Sequence, residues 1–221
     1  MTLSLELASY VDRATTSSTS DVLMKRGVRG YMRQHVRPLD MRCKMFGPAV
    51  TIERVPLEDL EETRRLPNAE MIAAIETAPA GSVIVSAGRG AEEEAALWGG
   101  LLAAAAHRNR LAGTVSDGPI RDPLEILELK QPCFTTGCAP PGQAGLLALK
   151  SVGRPIQCGG AMVNPGDYIF GDSNGVVVIP NGQVLEIMKA AADVEAGDQE
   201  AAALILAGTS LPETMRKLGR I

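Results

Sequence analysis

The sequence predicts an α/β fold. We expect one domain spanning residues 1–221, with a helical N-terminal segment over about residues 1–30 and a C-terminal helix over about residues 183–207. Short β-branched or apolar segments alternate with helical ones, and no low-complexity linker or internal repeat divides the chain. The composition, 45% hydrophobic and 22% charged, is typical of a globular chain that buries a sizeable core.

The first part of the chain alternates helices with strands, bounded by helix caps and by Gly or Pro turns. In order, we predict a short helix at 22–26 capped by Ser20–Asp21 and ended by Gly27, a turn at Gly47–Pro48, a strand at 49–55, a helix capped by Asn68, a strand at 82–86, an Ala/Leu-rich helix at 95–111 interrupted near its start, a strand at 113–117, a helix at 122–130 and a strand at 133–136.

The remaining part, after a Pro-rich loop at 139–142, is predicted to be mainly β-structure. The predicted elements are strands at 156–158, 161–163, 168–170 and 176–179, turns at 164–167 and 171–175, and the long C-terminal helix.

Composition also argues against several classes of protein. The net charge is −4, and the sequence has no long basic cluster, only pairs of basic residues such as Lys25–Arg26 and Arg64–Arg65. We therefore expect no nucleic-acid partner. The sequence contains no run of about 18 apolar residues, the length that a membrane-spanning helix needs. Four cysteines without CxxC spacing, and no signal-peptide pattern, predict a cytoplasmic protein with reduced thiols.

A nucleotide-binding turn is not expected at Gly88–Arg89–Gly90. The third small residue of a dinucleotide fingerprint would fall at Glu93, inside the run Glu92–Glu94. Three carboxylates at that helix start would repel a pyrophosphate, so we interpret the segment as a tight strand-to-helix turn.

Gly99–Gly100 predicts a break in the Ala/Leu-rich segment, because each glycine inside a helix costs about 1 kcal/mol relative to alanine. A helix that starts afresh at Leu101 would leave the amides of Leu101 and Leu102 as free donors, suited to a carboxylate or phosphate. Close packing of the helix on the sheet explains the two glycines equally well.

The segment Arg121–Asp122–Pro123 is a helix start with one unexplained residue. Asp122 at the N-cap, Pro123 at N1 and Glu125 at N3 account for the helix, but not for Arg121. A helix of about 15 Å and a returning strand of about 17 Å bring this segment back to Gly100, at the carboxyl edge of the sheet. There a guanidinium suits a substrate carboxylate, and Asp122 suits a hard cation such as Mg²⁺.

Gly100, twenty intervening residues, Arg121–Asp122, two residues and Glu125 form a spaced GX20RDX2E/D pattern. By this pattern the chain resembles the RraA-like family. The family includes class II pyruvate aldolases acting on 4-hydroxy-4-methyl-2-oxoglutarate or 4-carboxy-4-hydroxy-2-oxoadipate, and regulators of ribonuclease E activity. Further segments in family order are 20–23, 47–51, 98–102, 117–122, 159–167 and 171–180.

The resemblance implies a swivelling ββα-type fold, a homotrimer or dimer of trimers, and a site at the subunit interface. It implies that Arg121 binds the pyruvate carboxylate of a 2-oxo acid substrate, and that Asp122 binds Mg²⁺ or Mn²⁺. The substrate-binding set it implies is Gly99, Gly100, Leu101, Leu102 and Arg121. Oxaloacetate decarboxylation is implied beside aldol cleavage, because both reactions pass through the same pyruvate enolate.

One departure from the aldolases leaves alternatives open. Several of them carry an acidic residue where this chain has Gly100; Glu125 could replace it, although a role as an N3 cap is the simpler interpretation. A glutamate from a neighbouring subunit also lines the aldolase site, and Glu195 and Glu200 are candidates. The alternative functions are a non-catalytic regulator of a ribonuclease and a lyase for another 2-oxo acid.

Overall fold

A computed structural model describes residues 4–88 and 95–219. Over these residues, helices and strands alternate in the first part of the chain, and strands predominate in the second part up to the C-terminal helices. They are α1 (Leu5–Arg13), α2 (Thr16–Lys25), β1 (Arg37–Pro38), β2 (Met45–Pro56), α3 (Asn68–Thr77), β3 (Val83–Gly88), α4 (Gly100–Arg108), β4 (Gly113–Ser116), α5 (Pro123–Glu128), β5 (Cys133–Thr135), β6 (Leu147–Val152), β7 (Ile156–Cys158), β8 (Ala161–Val163), β9 (Tyr168–Asp172), β10 (Gly175–Ile179), α6 (Val184–Leu206) and α7 (Leu211–Lys217).

The centre of the large sheet is parallel. Strands β2, β3, β4 and β5 are neighbours in that order, and helices α3, α4 and α5 connect them. Connections of this kind bring the carboxyl ends of the strands, and the loops that follow them, to one edge of the sheet. The candidate site is built from the loops at this edge.

Strand β2 is shared between two antiparallel partners. Its residues 45–48 pair with β9 and its residues 52–56 pair with β6, so two strands extend the sheet beyond β2, on the side away from β3. Gly47–Pro48 lies within this strand, and the predicted turn there is wrong. A Cβ atom at Gly47 would overlap the carbonyl oxygen of Gly81, so close approach of the backbone explains the glycine.

Alternating side chains of the central strands enter different cores. Val83 and Val85 face a cluster that the β7–β8 hairpin helps to build, whereas Ile84 faces the cluster under helices α3, α4 and α5. Helices α1, α2 and α6 cover β9 and β10 through a third cluster that includes Phe170 and Ile187. The predicted α/β class with flanking N- and C-terminal helices is confirmed.

Several predicted boundaries are wrong for identifiable reasons. Helix α2 begins at Thr16 because Thr15 forms a capping box with Ser18, so Ser20–Asp21 lies inside the helix and does not cap it. Asn68 is the first helical residue, and Pro67 occupies the N-cap position without a side-chain hydrogen bond. Helix α4 begins at Gly100 and not at Ala95. Strands β1 and β6 and helix α7 were not predicted.

The four cysteines, Cys43, Cys133, Cys138 and Cys158, are free thiols. Burial raises the pKa of the Cys133 thiol to about 12, so this sulfur is a poor nucleophile. Within the described ranges, no helix has both the length and the apolar character needed to cross a bilayer.

Candidate active site

Three loops meet at the carboxyl edge of β3, β4 and β5. The Arg121 amide donates a hydrogen bond to the Trp98 carbonyl oxygen at 3.0 Å, and the Ile120 amide donates to the Gly137 carbonyl oxygen at 2.9 Å. These bonds continue the parallel pairing past the ends of the strands. They hold the first residues of α4 beside the turn that precedes α5, as the helix and strand lengths predicted.

Asp122 occupies the N-cap position of α5 but makes no side-chain cap for that helix. Its backbone is left-handed, with φ 58° and ψ 46°, a conformation that costs a non-glycine residue on the order of 1 kcal/mol. The carboxylate turns instead to α4, where Oδ2 accepts a hydrogen bond from the Gly100 amide at 3.0 Å. The predicted cap of α5 is therefore wrong, because Asp122 caps the neighbouring helix.

Arg121 lies between two glycines. A Cβ atom at Gly99 would be 3.0 Å from Arg121 Cγ, and one at Gly142 would be 3.0 Å from Arg121 Nη1. The Arg121 Nε atom is 3.5 Å from Asp122 Oδ2, and the two side chains are 49% and 37% exposed. Solvent screens an ion pair that is this exposed, so the contact adds little stability and leaves the guanidinium available to a ligand. The sequence indicated only that Gly142 belongs to a Pro-rich loop, and nothing in its distance along the chain from Arg121 indicated that the two residues meet.

The Glu125 carboxylate fills the space that a side chain at position 100 would need. An ideal Cβ atom built on Gly100 would overlap Glu125 Oε2. Within the described part of the chain, Glu125 accepts no hydrogen bond from the amides of its own helix start. Its predicted role as an N3 cap is therefore wrong, because its carboxylate lies against Gly100 at the start of α4.

The amides of Leu101 and Leu102 are the next donors of α4. The helix starts at Gly100, so these first-turn amides have no intrahelical acceptor, and we find no other acceptor for them among residues 4–88 and 95–219. The partial positive charge of a helix N-terminus favours an anion there. The leucine side chain at position 101 is 83% exposed and that of Leu124 is 73% exposed, so apolar surface borders the site.

The donor set fits a hard divalent cation that keeps several waters. Asp122 and Glu125 supply carboxylate oxygens at one point, and Asp122 Oδ1 accepts no hydrogen bond within the described ranges. In the same ranges no group of three or more His, Cys, Asp and Glu side chains could hold a metal ion, so protein ligands alone would not fill a coordination sphere. Mg²⁺ is commonly bound through one or two carboxylates with water completing the sphere.

The other predicted acidic residues have different surroundings. Asp172 accepts hydrogen bonds from the Thr16 amide at 2.8 Å and from the Asn174 amide at 2.8 Å, which agrees with its interpretation as a turn residue. Glu195 accepts a hydrogen bond from the Thr15 hydroxyl of the same chain at 3.0 Å. Glu200 is exposed and makes no ion pair within the described residues. Glu200 is therefore the freer of the two C-terminal candidates.

Sequence reasoning missed two buried charged residues at the same edge. Asp117 accepts hydrogen bonds from the Gly88 amide at 2.8 Å and from the Gly159 amide at 3.0 Å, and so ties two loops together. Arg54 is 1% exposed and donates to the Ser86 hydroxyl at 3.4 Å. Arg54 lies in no recognisable motif, whereas Asp117 opens the family segment 117–122, in which only Arg121 and Asp122 were given roles. The turn Gly88–Arg89–Gly90 with Glu92–Glu94, for which no nucleotide was expected, lies outside the described residues beyond Gly88.

Comparison with known proteins assigns the family. The model of the RraA-like family, described as Aldolase/RraA, matches residues 16–178, well over half of the chain. The chain belongs to the RraA-like family. This RraA-like protein is 31% identical to protein DlpA of Legionella pneumophila over 94% of its own length, but it spans only 33% of DlpA.

Two further relatives connect the RraA-like chain to named proteins. It is 32% identical to a protein of Halalkalibacterium halodurans named "Putative 4-hydroxy-4-methyl-2-oxoglutarate aldolase", over 74% of this chain and 73% of that one. The solved structure of Streptomyces coelicolor RraAS2, described as an unusual member of the RNase ES inhibitor RraA protein family, superposes with a TM-score of 0.77 at 27% identity, covering 91% of this chain and 98% of that one. The family and the fold inferred from the motifs are thus confirmed.

Proposed function

We propose that this RraA-like protein is a divalent-metal-dependent lyase. It cleaves a 4-hydroxy-2-oxo acid of the 4-hydroxy-4-methyl-2-oxoglutarate type to pyruvate and a second keto acid, and it also decarboxylates oxaloacetate. One observation carries the proposal: the Arg121 guanidinium and the Asp122 and Glu125 carboxylates converge on the N-terminus of α4. The aldolase name of the Halalkalibacterium relative supports it.

Each group at this point has a defined task in such a reaction. The Arg121 fork and the amides of Leu101 and Leu102 bind the carboxylate of the 2-oxo acid, since both present N–H donors to an anion. Asp122 and Glu125 would hold Mg²⁺ or Mn²⁺, and waters would supply the remaining ligands. A cation held there would polarise the 2-oxo group and so stabilise the enolate left by carbon–carbon cleavage. Gly99 and Gly142 keep room for Arg121 to meet the substrate.

We also propose that a second copy of the chain completes the site, in a homotrimer or a dimer of trimers. Leu101 and Leu124 expose apolar surface beside the site, and Leu206 and Leu211 expose it on the C-terminal helices, at 88% and 57%. Two different apolar patches on one chain suit a head-to-tail contact that closes into a ring. Glu200 would then be the glutamate that reaches the neighbouring site. Native mass spectrometry of the full chain tests the assembly, and a monomer would contradict it.

The activity is tested by pyruvate release. Purified protein with Mg²⁺ or Mn²⁺ is supplied with 4-hydroxy-4-methyl-2-oxoglutarate, 4-carboxy-4-hydroxy-2-oxoadipate or oxaloacetate, and pyruvate is followed with lactate dehydrogenase. We expect metal-dependent release from at least one of the three that is lost in Arg121→Gln. No pyruvate from any of them, with either metal present, would refute the lyase. Release from oxaloacetate alone would favour a lyase for another 2-oxo acid.

A regulator that binds a ribonuclease is the second candidate, favoured by the similarity to RraAS2. A pull-down with ribonuclease E separates the two functions. Binding that survives Asp122→Ala but is lost on substitution of exposed surface residues would support the regulator. Absence of binding, together with pyruvate release, would support the lyase.

A further inference from the structure

A polar groove of about 670 Å³ lies on the molecule between helix α2, the segment 29–36 and the turn before β10. Its lining includes Arg29, Arg33, His35 and the hydroxyl residues Ser17 and Ser20. None of its lining residues belongs to the candidate active site. The two arginines form no basic cluster in the sequence, because Gly30, Tyr31 and Met32 separate them.

The two arginines are held in place without being neutralised. The Arg29 guanidinium carbon lies 5.0 Å from the centre of the Tyr31 ring. Arg33 lies against the backbone of Gly160, where a Cβ atom would be only 2.9 Å from Arg33 Nε. Neither arginine forms an ion pair with any residue that the structure describes. Contacts of this kind fix the direction of a guanidinium while leaving its N–H groups free for an anion.

The charge of the groove suits an anion. Arg29 and Arg33 line it, and the described lining contains one carboxylate, that of Asp21. The Arg37 guanidinium adds a third positive charge at the rim, where it donates to the Asn174 carbonyl oxygen at 3.3 Å. The Asp172 carboxylate, which accepts hydrogen bonds from the lining residues Thr16 and Asn174, adds a second negative charge. Three cations against two carboxylates leave an excess of one positive charge, which favours an anion in the groove.

Helix α2 supplies further donors to the same groove. Ser17 and Ser20 are three residues apart and therefore share a helix face. Their hydroxyls make no hydrogen bond within the described part of the chain. Guanidinium and hydroxyl donors from two elements that line one groove suit the several acceptor oxygens of a tetrahedral phosphate. We propose that this groove binds the phosphate group of a small phosphorylated ligand, at a site separate from the one that binds the 2-oxo acid.

Calorimetric titration of the full chain with inorganic phosphate, and then with pyrophosphate, at constant ionic strength tests the proposal. We expect saturable binding with one site per chain. Arg33→Gln and Arg29→Gln should each weaken it about tenfold, the loss expected for one charge-assisted hydrogen bond. Arg64→Gln, which removes an exposed arginine outside the groove, should bind as the parent does. Circular dichroism checks that each variant is folded.

Two controls locate the phosphate. Arg121→Gln must retain binding, because Arg121 lies in the other site and could also attract an anion. Binding lost in Arg121→Gln but kept in Arg33→Gln would overturn the proposal, as would equal loss in Arg64→Gln. Absence of saturable phosphate binding by the parent protein would also overturn the proposal. RNA binding that phosphate cannot displace would do the same. A change of assembly state in Arg33→Gln, when the parent protein binds no phosphate, would show instead that the groove is a subunit contact.

Discussion

The Asp122 carboxylate accepts the amide hydrogen of Gly100 at 3.0 Å, so a residue at the start of one helix caps the start of another. The left-handed backbone of Asp122 makes this possible, because it turns the side chain away from α5. The stability of α4 and the proposed metal site therefore depend on the same carboxylate, but on different properties of it. The hydrogen bond needs only an acceptor oxygen, whereas a cation needs negative charge.

Asp122→Asn should separate these two properties. Asparagine keeps an acceptor oxygen and tolerates a left-handed backbone, so we expect the free energy of unfolding in urea to change by less than about 1 kcal/mol. Metal-dependent pyruvate release should fall on the order of a hundredfold, because the charged ligand is gone. Unchanged pyruvate release in a folded Asp122→Asn variant would exclude Asp122 as a metal ligand.

Glu125→Gln should raise the Mg²⁺ concentration needed for half-maximal activity by about tenfold, since the second carboxylate is removed. Gly100→Ala should act in the same direction, because the new methyl group displaces Glu125 Oε2. The cost in stability should be small, since the displaced atom is the end of a flexible side chain. If both act through one carboxylate, the double variant will be little worse than either single variant. Glu128→Gln, an exposed glutamate on the same helix, is the matched control.

Arg121→Lys should raise KM for the 2-oxo acid by about tenfold or more while the protein unfolds at the parent's temperature. Lysine keeps the charge but cannot form the bidentate contact with a carboxylate. The half-exposed Arg121–Asp122 contact contributes little stability, so the fold should not respond. Steady-state kinetics measures the effect, and Arg108→Lys at the other end of α4 is the control. A lower kcat at unchanged KM would argue against substrate binding by Arg121.

Local sequence patterns predicted the structure where a single helix or strand determines it. The start of a fresh helix at Gly99–Gly100 was predictable within one residue, because two adjacent glycines disfavour a helix interior. The proximity of Arg121 to the start of α4 followed from the lengths of that helix and of the strand that returns from it. Capping was less predictable. Asp122, Pro123 and Glu125 fit the pattern of a helix start, yet the two carboxylates serve the neighbouring helix, which only the packed structure reveals.

Long-range contacts account for the other misses. Gly47–Pro48 has the composition of a turn, but Gly47 is needed where strand β2 passes the backbone at Gly81. Arg29 and Arg33 are separated in sequence by apolar residues that are partly or fully buried, so the basic groove forms only when that segment packs. The catalytic candidates were predictable because a spaced motif defined them, whereas the groove has no motif.

Arg54→Met should stabilise the protein. Burial lowers the pKa of the Arg54 guanidinium to about 10, and no carboxylate contacts it among the described residues. Because this pKa lies below its ordinary value, the buried charge opposes folding at neutral pH, and the penalty fades only above pH 10. We therefore expect a gain of about 1 kcal/mol or more in urea unfolding at neutral pH. Lys150→Met removes a cation that is 3.1 Å from Glu53 and should give no gain. Destabilisation by Arg54→Met would indicate a counter-charge outside the described residues.

Gly47→Ala should destabilise the protein by about 3 kcal/mol, a loss typical of overpacking against fixed atoms. The added methyl group would overlap the Gly81 carbonyl oxygen, and backbone cannot rotate aside as the end of a side chain can. Either β2 or the turn before β3 must move, which disturbs the parallel register that starts with Ala49 opposite Val83. Gly182→Ala is the control, because a Cβ atom there meets nothing within 4 Å; it should stay within about 0.5 kcal/mol of the parent. Equal unfolding free energies for the two variants would contradict the close approach of Gly47 to Gly81.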